Sequence, residues 1–234
     1  MDKIKKLILK YLPIHKFLSF RSYSQDGEDM VIRSFYQHLK RYKGFYVDVG
    51  AHHPFRFSNT KYFYNKGWRG INIEPSPEVM PLFRLFRRRD VNLNLGIAER
   101  EDELTYYCFN EPALNGFSKE LSEKRDTENS PYRLLKAISV KTMPLKKVLD
   151  EYLPKGQHID FLSIDAEGFD LIVLKSNDWQ HYRPSFVLVE DDIDLSEMME
   201  SEIYKQMSAL HYKLVAKTSR TLIFQDDANS IQND

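Results

Sequence analysis

Cysteine is almost absent from this chain. The single one among 234 residues, Cys108, can form neither an internal disulfide nor a cysteine-rich metal site, so nothing asks for an oxidising compartment. Net charge is absent as well, because 34 Lys and Arg balance 34 Asp and Glu. A dedicated nucleic-acid binder usually carries a basic excess, so no nucleic-acid partner is expected. No apolar run reaches the length of a membrane span. Basic residues recurring through Lys10 interrupt the apolar stretch that a signal peptide needs, which makes a cytoplasmic address the expectation. Glycine is scarce too, nine in all, and the spaced glycines of the dinucleotide fingerprint are missing, which counts against a nicotinamide oxidoreductase.

The length fits one decorated domain better than two. Residues 1–22 form a segment of their own, with Ile4, Leu7, Ile8, Tyr11 and Leu12 at helical spacing between Lys3, Lys5, Lys6 and Lys10. It reads either as a helix lying on an anionic membrane, which would place the protein at the inner face, or as a helix packed on the domain or a partner. The domain itself is expected over 23–225, with 226–234 as a polar tail.

Within that domain strands and helices alternate. Buried strands are predicted at Phe45 to Val49, Gly70 to Glu74, Val91 to Leu95, Ile159 to Ile164 and Ser185 to Val189. Helices are expected at Lys61 to Asn65, Glu78 to Arg88, Thr142 to Tyr152, Asp170 to Lys175 and Glu197 to Leu210, and a hairpin at Tyr212 to Lys217 and Thr221 to Gln225. Leu104 to Phe109 reads as an added strand, and 110–137 as a long loop with a short exposed helix, a lid or acceptor loop. The alternation predicts an α/β, Rossmann-like fold: a mostly parallel seven-stranded sheet with helices on both faces and a C-terminal antiparallel hairpin. The Arg84, Arg87, Arg88 and Arg89 group reads as a solvated helix face.

Ligands of open α/β sheets bind at the carboxyl ends of strands where strand order reverses. The first strand delivers Asp48, Gly50, Ala51, His52 and His53 to that edge. Gly50 and Ala51 are small enough for close backbone approach, and His52 and His53 are rival general bases. The second strand ends in Glu74, whose carboxylate can accept two hydrogen bonds from ribose hydroxyls or cap the helix start near Ser76. Asp48-x-Gly50 and Glu74 together, one βαβ unit apart, favour a nucleoside cofactor. The fourth strand ends in Asp165 and Glu167, which could take a proton from an acceptor, orient it, or cap the next helix. Glu190, Asp191 and Asp192 end the fifth strand. With Asp165 they form a carboxylate cluster that leaves a divalent cation open as a second cofactor.

Read together, these segments resemble the FkbM family of methyltransferases. The resemblance rests on Tyr23-Ser24-Gln25-Asp26-Gly27-Glu28-Asp29, Gly44 to Pro54, Ser58-Asn59-Thr60, Gly67 to Pro75 and Ser163 to Gly168, and runs from about Tyr23 to Glu190. It implies a class I methyltransferase sheet, S-adenosylmethionine as donor, and O-methylation of a hydroxyl on a sugar, glycan precursor or small metabolite, as in polysaccharide biosynthesis. By that similarity Asp48, Gly50 and Ala51 would face the methionine part of the cofactor and Glu74 its ribose. Gly96 and Ile97 would lie near the adenine, and Ser24, Gln25, Asp29, Ser58, Asn59 and Thr60 would border the site. Many methyltransferases carry glycines where His52 and Pro54 stand. A module that binds the nucleoside but has lost transfer activity is the alternative, and the retained Asp165 and Glu167 speak against it. The oligomeric state is left open.

Overall fold

A computed structural model describes residues 19–39 and 41–227. The basic N-terminal stripe and most of the polar tail lie outside the described residues. The domain follows the alternation in the sequence. Helix α1 (Glu28–Tyr36) precedes strand β1 (Phe45–Val49), then come α2 (Lys61–Asn65), β2 (Arg69–Ile73), α3 (Met80–Phe86) and β3 (Val91–Leu93). A cap follows, made of β4 (Gly96–Ile97), β5 (Asp102–Phe109), α4 (Lys119–Arg125) and β6 (Leu134–Met143). The second half runs α5 (Leu145–Tyr152), β7 (Phe161–Ile164), α6 (Asp170–Lys175), β8 (Phe186–Glu190), α7 (Glu202–Ala209), β9 (Tyr212–Lys217) and β10 (Thr221–Asp226).

The main sheet has seven strands in the order β3-β2-β1-β7-β8-β10-β9. All pairs are parallel except those of β10, which runs antiparallel to both β8 and β9. This is the class I methyltransferase sheet that the resemblance implies. Strand order reverses between β1 and β7, paired from Tyr46↔Phe161 to Val49↔Ile164, so the ligand crevice is expected beyond Val49 and Ile164.

The two-residue period of a strand divides the core between the two faces. Phe45, Val47 and Val49 of β1 point to a cluster completed by Leu145 and Val148 of α5, Val173 of α6 and Met207 of α7. Tyr46 points the other way, to Ile32 and Tyr36 of α1, Phe63 of α2 and Trp68. Asp48 shares the parity of Tyr46 and therefore leaves the sheet on the α1–α2 face.

The cap departs from the sequence reading. Residues 110–137 hold the expected short helix, α4, but the rest is not all loop: a 3₁₀ turn at Pro112–Leu114 precedes it, and β6 begins inside them. Strand β6 pairs antiparallel with β5 from Thr142↔Asp102 to Leu134↔Phe109 and parallel with β4 at Gly96 and Ile97, making a second, three-stranded sheet. The helix expected from Thr142 therefore starts only at Leu145.

The arginine cluster also splits. Helix α3 is shorter than expected, and Arg87, just past its end, is fully buried. Its guanidinium donates to the Tyr46 hydroxyl (3.1 Å), Ser58 Oγ (2.8 Å), Thr60 Oγ1 (3.2 Å) and the Pro54 carbonyl (3.3 Å), and it faces Asp90 at 3.6 Å. A buried cation persists only when its donors are met in this way, so Arg87 is a structural hub and not part of a solvated face.

Candidate active site

The crevice beyond Val49 and Ile164 opens into a cavity of about 920 Å³, walled by strand ends below and by the cap above. That is within the range of small-molecule sites and near its upper end. Gly50 stands at the reversal point with φ +75°. A Cβ there would run into the backbone oxygen of Asp165. The glycine is thus required by the contact of two strand ends, and that contact sets the β1 turn directly beside the Asp165 turn.

On the β1–β2 side the central group is Glu74. It is almost wholly buried, and its two oxygens accept from the backbone N–H of His52 (2.8 Å) and of Ser76 (2.7 Å). Burial pushes its pKa up to about 7, against the pull of these two bonds. A carboxylate has about four acceptor positions, so two remain for a ligand. Leu95, Gly96 and Ile97 line the same end of the cavity together with Tyr106, Phe117 and Ile138 of the cap. The Phe117 ring lies where a Cβ on residue 96 would stand. Apolar walls next to a hydrogen-bond acceptor are what a nucleoside, an aromatic base on a ribose, requires.

On the β7–β8 side three carboxylates crowd together. Asp165, Glu167 and Glu190 place ligand oxygens within 4.8 Å of one another. Asp165 is accessible from the cavity but enclosed by protein and by other acids. Burial first, then the charges of Glu190 and Glu167, raise its pKa well above the carboxylate range. Glu190 is pushed up to about 8, by burial first and then by Glu167 and Asp170. The two share a hydrogen bond, so they titrate as a pair and hold protons to higher pH than separate carboxylates would. Glu167, at φ +51°, is paired with Arg125 from α4, and that cation opposes the rise that burial causes. Neither Asp165 nor Glu167 serves the turn itself. Asp170 does, accepting from Ala166 N (2.8 Å) and Gly168 N (3.1 Å), which leaves both carboxylates free to face the cavity.

The other candidates separate into wall and support. Gln25, His52, His53 and Ser76 line the cavity. His53 Nδ1 accepts from Phe55 N (3.2 Å) and Arg56 N (3.1 Å), and burial lowers its pKa. A neutral imidazole so engaged carries its proton on Nε2, and it suits a hydrogen-bond donor better than a base. His52, at φ +51°, has its pKa lowered to about 4 by burial, and its Nε2 is buried without a protein partner. Asp29, Asp48, Ala51, Ser58, Asn59 and Thr60 stand behind the wall. Asp48, pushed up to about 6 by burial, accepts from Thr60 Oγ1 (2.9 Å), and Asn59 donates to Ser163 Oγ (3.0 Å). Ser58 Oγ accepts from Lys61 N at the start of α2 (3.2 Å) and joins the Arg87 hub. Asp29 accepts from Ser22 Oγ (2.7 Å), Tyr23 N (2.8 Å) and Ser24 Oγ (2.9 Å), tying down the segment that carries Gln25.

Three ion pairs strap the cap to the sheet around the cavity: Arg56 with Glu111 (2.8 Å), Glu78 with Lys136 (2.5 Å), and Glu167 with Arg125. Arg125 and Lys136 escape a sequence reading because each sits in a charged stretch that offers no motif. Only the fold shows which acid each one meets.

The methyltransferase FkbM domain matches residues 48–214, more than half of the chain. The chain belongs to the FkbM methyltransferase family. S-adenosylmethionine is the methyl donor of this family, and the protein is an S-adenosylmethionine-dependent methyltransferase. No curated protein sequence matches the chain significantly. Among solved structures it is similar to precorrin-6y C5,15-methyltransferase from Geobacter metallireducens, at 11% identity over 84% of each chain with a TM-score of 0.43. It is similar also to 1,6-didemethyltoxoflavin-N1-methyltransferase from Burkholderia thailandensis, solved with S-adenosylhomocysteine, at 13% identity, 96% and 89% coverage and a TM-score of 0.39. Among the described residues no helix is long and apolar enough to cross a membrane.

Proposed function

We propose that this methyltransferase acts on a hydroxyl of a sugar, a glycan precursor or a small metabolite. The observation that carries this reading is the Asp165–Glu190 pair. Methyl transfer to a hydroxyl needs a group that takes the O–H proton as the C–O bond forms, and such a base works best with a pKa near the working pH. Two hydrogen-bonded carboxylates beside the cavity, both titrating above the ordinary carboxylate range, meet that need, whereas an amine acceptor asks for no such base once it is unprotonated.

In this reading Glu74 holds the two ribose hydroxyls of S-adenosylmethionine with its two remaining acceptor positions. Gly96 and Ile97 flank the adenine, Ser76 stands beside the ribose, and Gly50 and His52 border the methionine end. Gln25 closes the site from the N-terminal side. When bound, the donor supplies an electrophilic methyl group, and the protein must align the acceptor oxygen with it. Glu167, fixed by Arg125, orients the acceptor, His53 donates to it, and the ionised member of the Asp165–Glu190 pair takes its proton.

A second reading uses the same carboxylates. Asp165, Glu167 and Glu190 offer the oxygen donors that a hard divalent cation takes, and a cation there would supply Lewis acidity that lowers the pKa of a hydroxyl. Release of S-adenosylhomocysteine on adding hydroxylated sugars tests both. Turnover that survives EDTA supports the carboxylate-pair base, and turnover restored only by added magnesium supports the cation. Methylation confined to amines would refute the hydroxyl acceptor.

A further inference from the structure

The outward face of α3 is unusual for a surface helix. Met80 and Phe83 face inward, and the opposite side would ordinarily be polar. Here it exposes Leu82, Leu85 (50% accessible) and Phe86 together with Arg84. Phe55, also exposed, extends the patch by packing edge-on against Phe86 with ring centroids 4.8 Å apart. No acidic residue occurs from Pro81 to Arg89 or from Phe55 to Lys61. Arg84 and Arg88 have no acidic partner within salt-bridge distance among the described residues.

The patch adjoins the cavity. Leu82 lines the cavity and is exposed at once, and so does Phe57 on the same lip. On the cap side Leu135, 66% accessible, lines it as well. Exposed apolar side chains thus stand on both lips of the cavity, beside the Glu78–Lys136 and Arg56–Glu111 pairs that join the lips. A contiguous apolar patch on a soluble domain marks an interaction surface. Apolar groups set among unpaired arginines, with no acid between them, fit a flat anionic partner: the rings and leucines enter the headgroup layer while the guanidinium groups meet lipid phosphates.

We propose that this face docks the mouth of the cavity on an anionic lipid surface through Phe55, Leu82, Leu85, Phe86, Arg84 and Arg88. The acceptor is then an amphiphile whose polar end enters the cavity while its apolar part crosses the lip. The acceptor half of this inference rests on the hydroxyl-methylation reading; the docking half stands on the surface alone.

Co-sedimentation of the full chain with vesicles tests it. One set of vesicles is phosphatidylcholine alone and the other contains one third phosphatidylglycerol. The wild-type chain is expected to pellet with the anionic vesicles and to be released by salt. Arg84→Gln with Arg88→Gln is expected to weaken binding by about fivefold per arginine, and Leu85→Ser with Phe86→Ser to abolish it. Both variants should melt like the wild type and keep the stabilisation by S-adenosylmethionine, since neither pair touches the cofactor end. Equal vesicle binding by wild type and variants would place the contact in another segment and overturn the proposal. So would an absence of anionic preference, or self-association in solution that the same variants remove. Loss of cofactor stabilisation in the wild type would strike the donor reading without touching the docking.

Discussion

The two sides of the crevice hold acids in opposite ways. On the β1–β2 side one carboxylate, Glu74, is buried and held by two backbone amides. On the β7–β8 side Asp165, Glu167 and Glu190 face one another, with Arg125 brought by the cap to Glu167 and Arg220, from the turn before β10, acting on Glu167 and Glu190. Backbone amides are fixed by the fold, so Glu74 is rigid and suited to holding a ligand of fixed shape. Acids that repel one another keep a proton and can pass it on. The difference teaches that a count of strand-end carboxylates says little, and that the partners of each decide between binding and chemistry.

The largest expected effect sharpens that contrast on the chemical side. Asp165→Asn keeps the size of the side chain but cannot take a proton, so turnover should fall by about 10² to 10⁴, with affinity for S-adenosylmethionine little changed. Steady-state kinetics beside calorimetry separate the two quantities; equal loss in both would make the acid cluster structural. On the binding side Glu74→Ala should cost about 1–3 kcal/mol of cofactor affinity, the scale for hydrogen bonds to a charged group. Unchanged affinity by calorimetry would remove its ribose role. The smallest effect concerns the cap. Arg125→Gln loses a half-buried ion pair, which should raise the KM of the acceptor by about fivefold, the order of 1 kcal/mol, and leave cofactor affinity alone. A change in cofactor affinity instead would mean that the cap closes over the donor.

How far the sequence led follows from the same physics. The apolar runs of β1, β2, β7 and β8 are buried on both faces and stand out as continuous hydrophobic stretches. α2 and α6 lie where the sequence places them. β6 escaped notice because most of it is exposed, yet Ile138, Val140 and Thr142 alternate with Ser139 and Lys141, a two-residue period that marks a half-buried strand. Asp48 was expected at the cofactor, and its parity with Tyr46 turns it toward Thr60 and the Arg87 hub. Counting alternate residues from the strand end gives that result without coordinates. Arg87 looks like its solvated neighbours because composition cannot show that a helix ends at Phe86 and drops the next side chain among Tyr46, Ser58 and Asp90. The Arg125–Glu167 pair joins residues 42 apart in the chain, and only the folded cap brings them together.

Titration of S-adenosylmethionine across pH tests the central claim most directly. In the folded protein burial raises the Glu74 pKa to about 7, and ribose hydroxyls donate to its ionised form. Affinity should therefore strengthen about tenfold per unit as pH rises toward 7 and level off above it, and in Glu74→Gln the affinity should be weaker and lack that dependence. The same pH-independent affinity in the wild type and in Glu74→Gln would contradict the account.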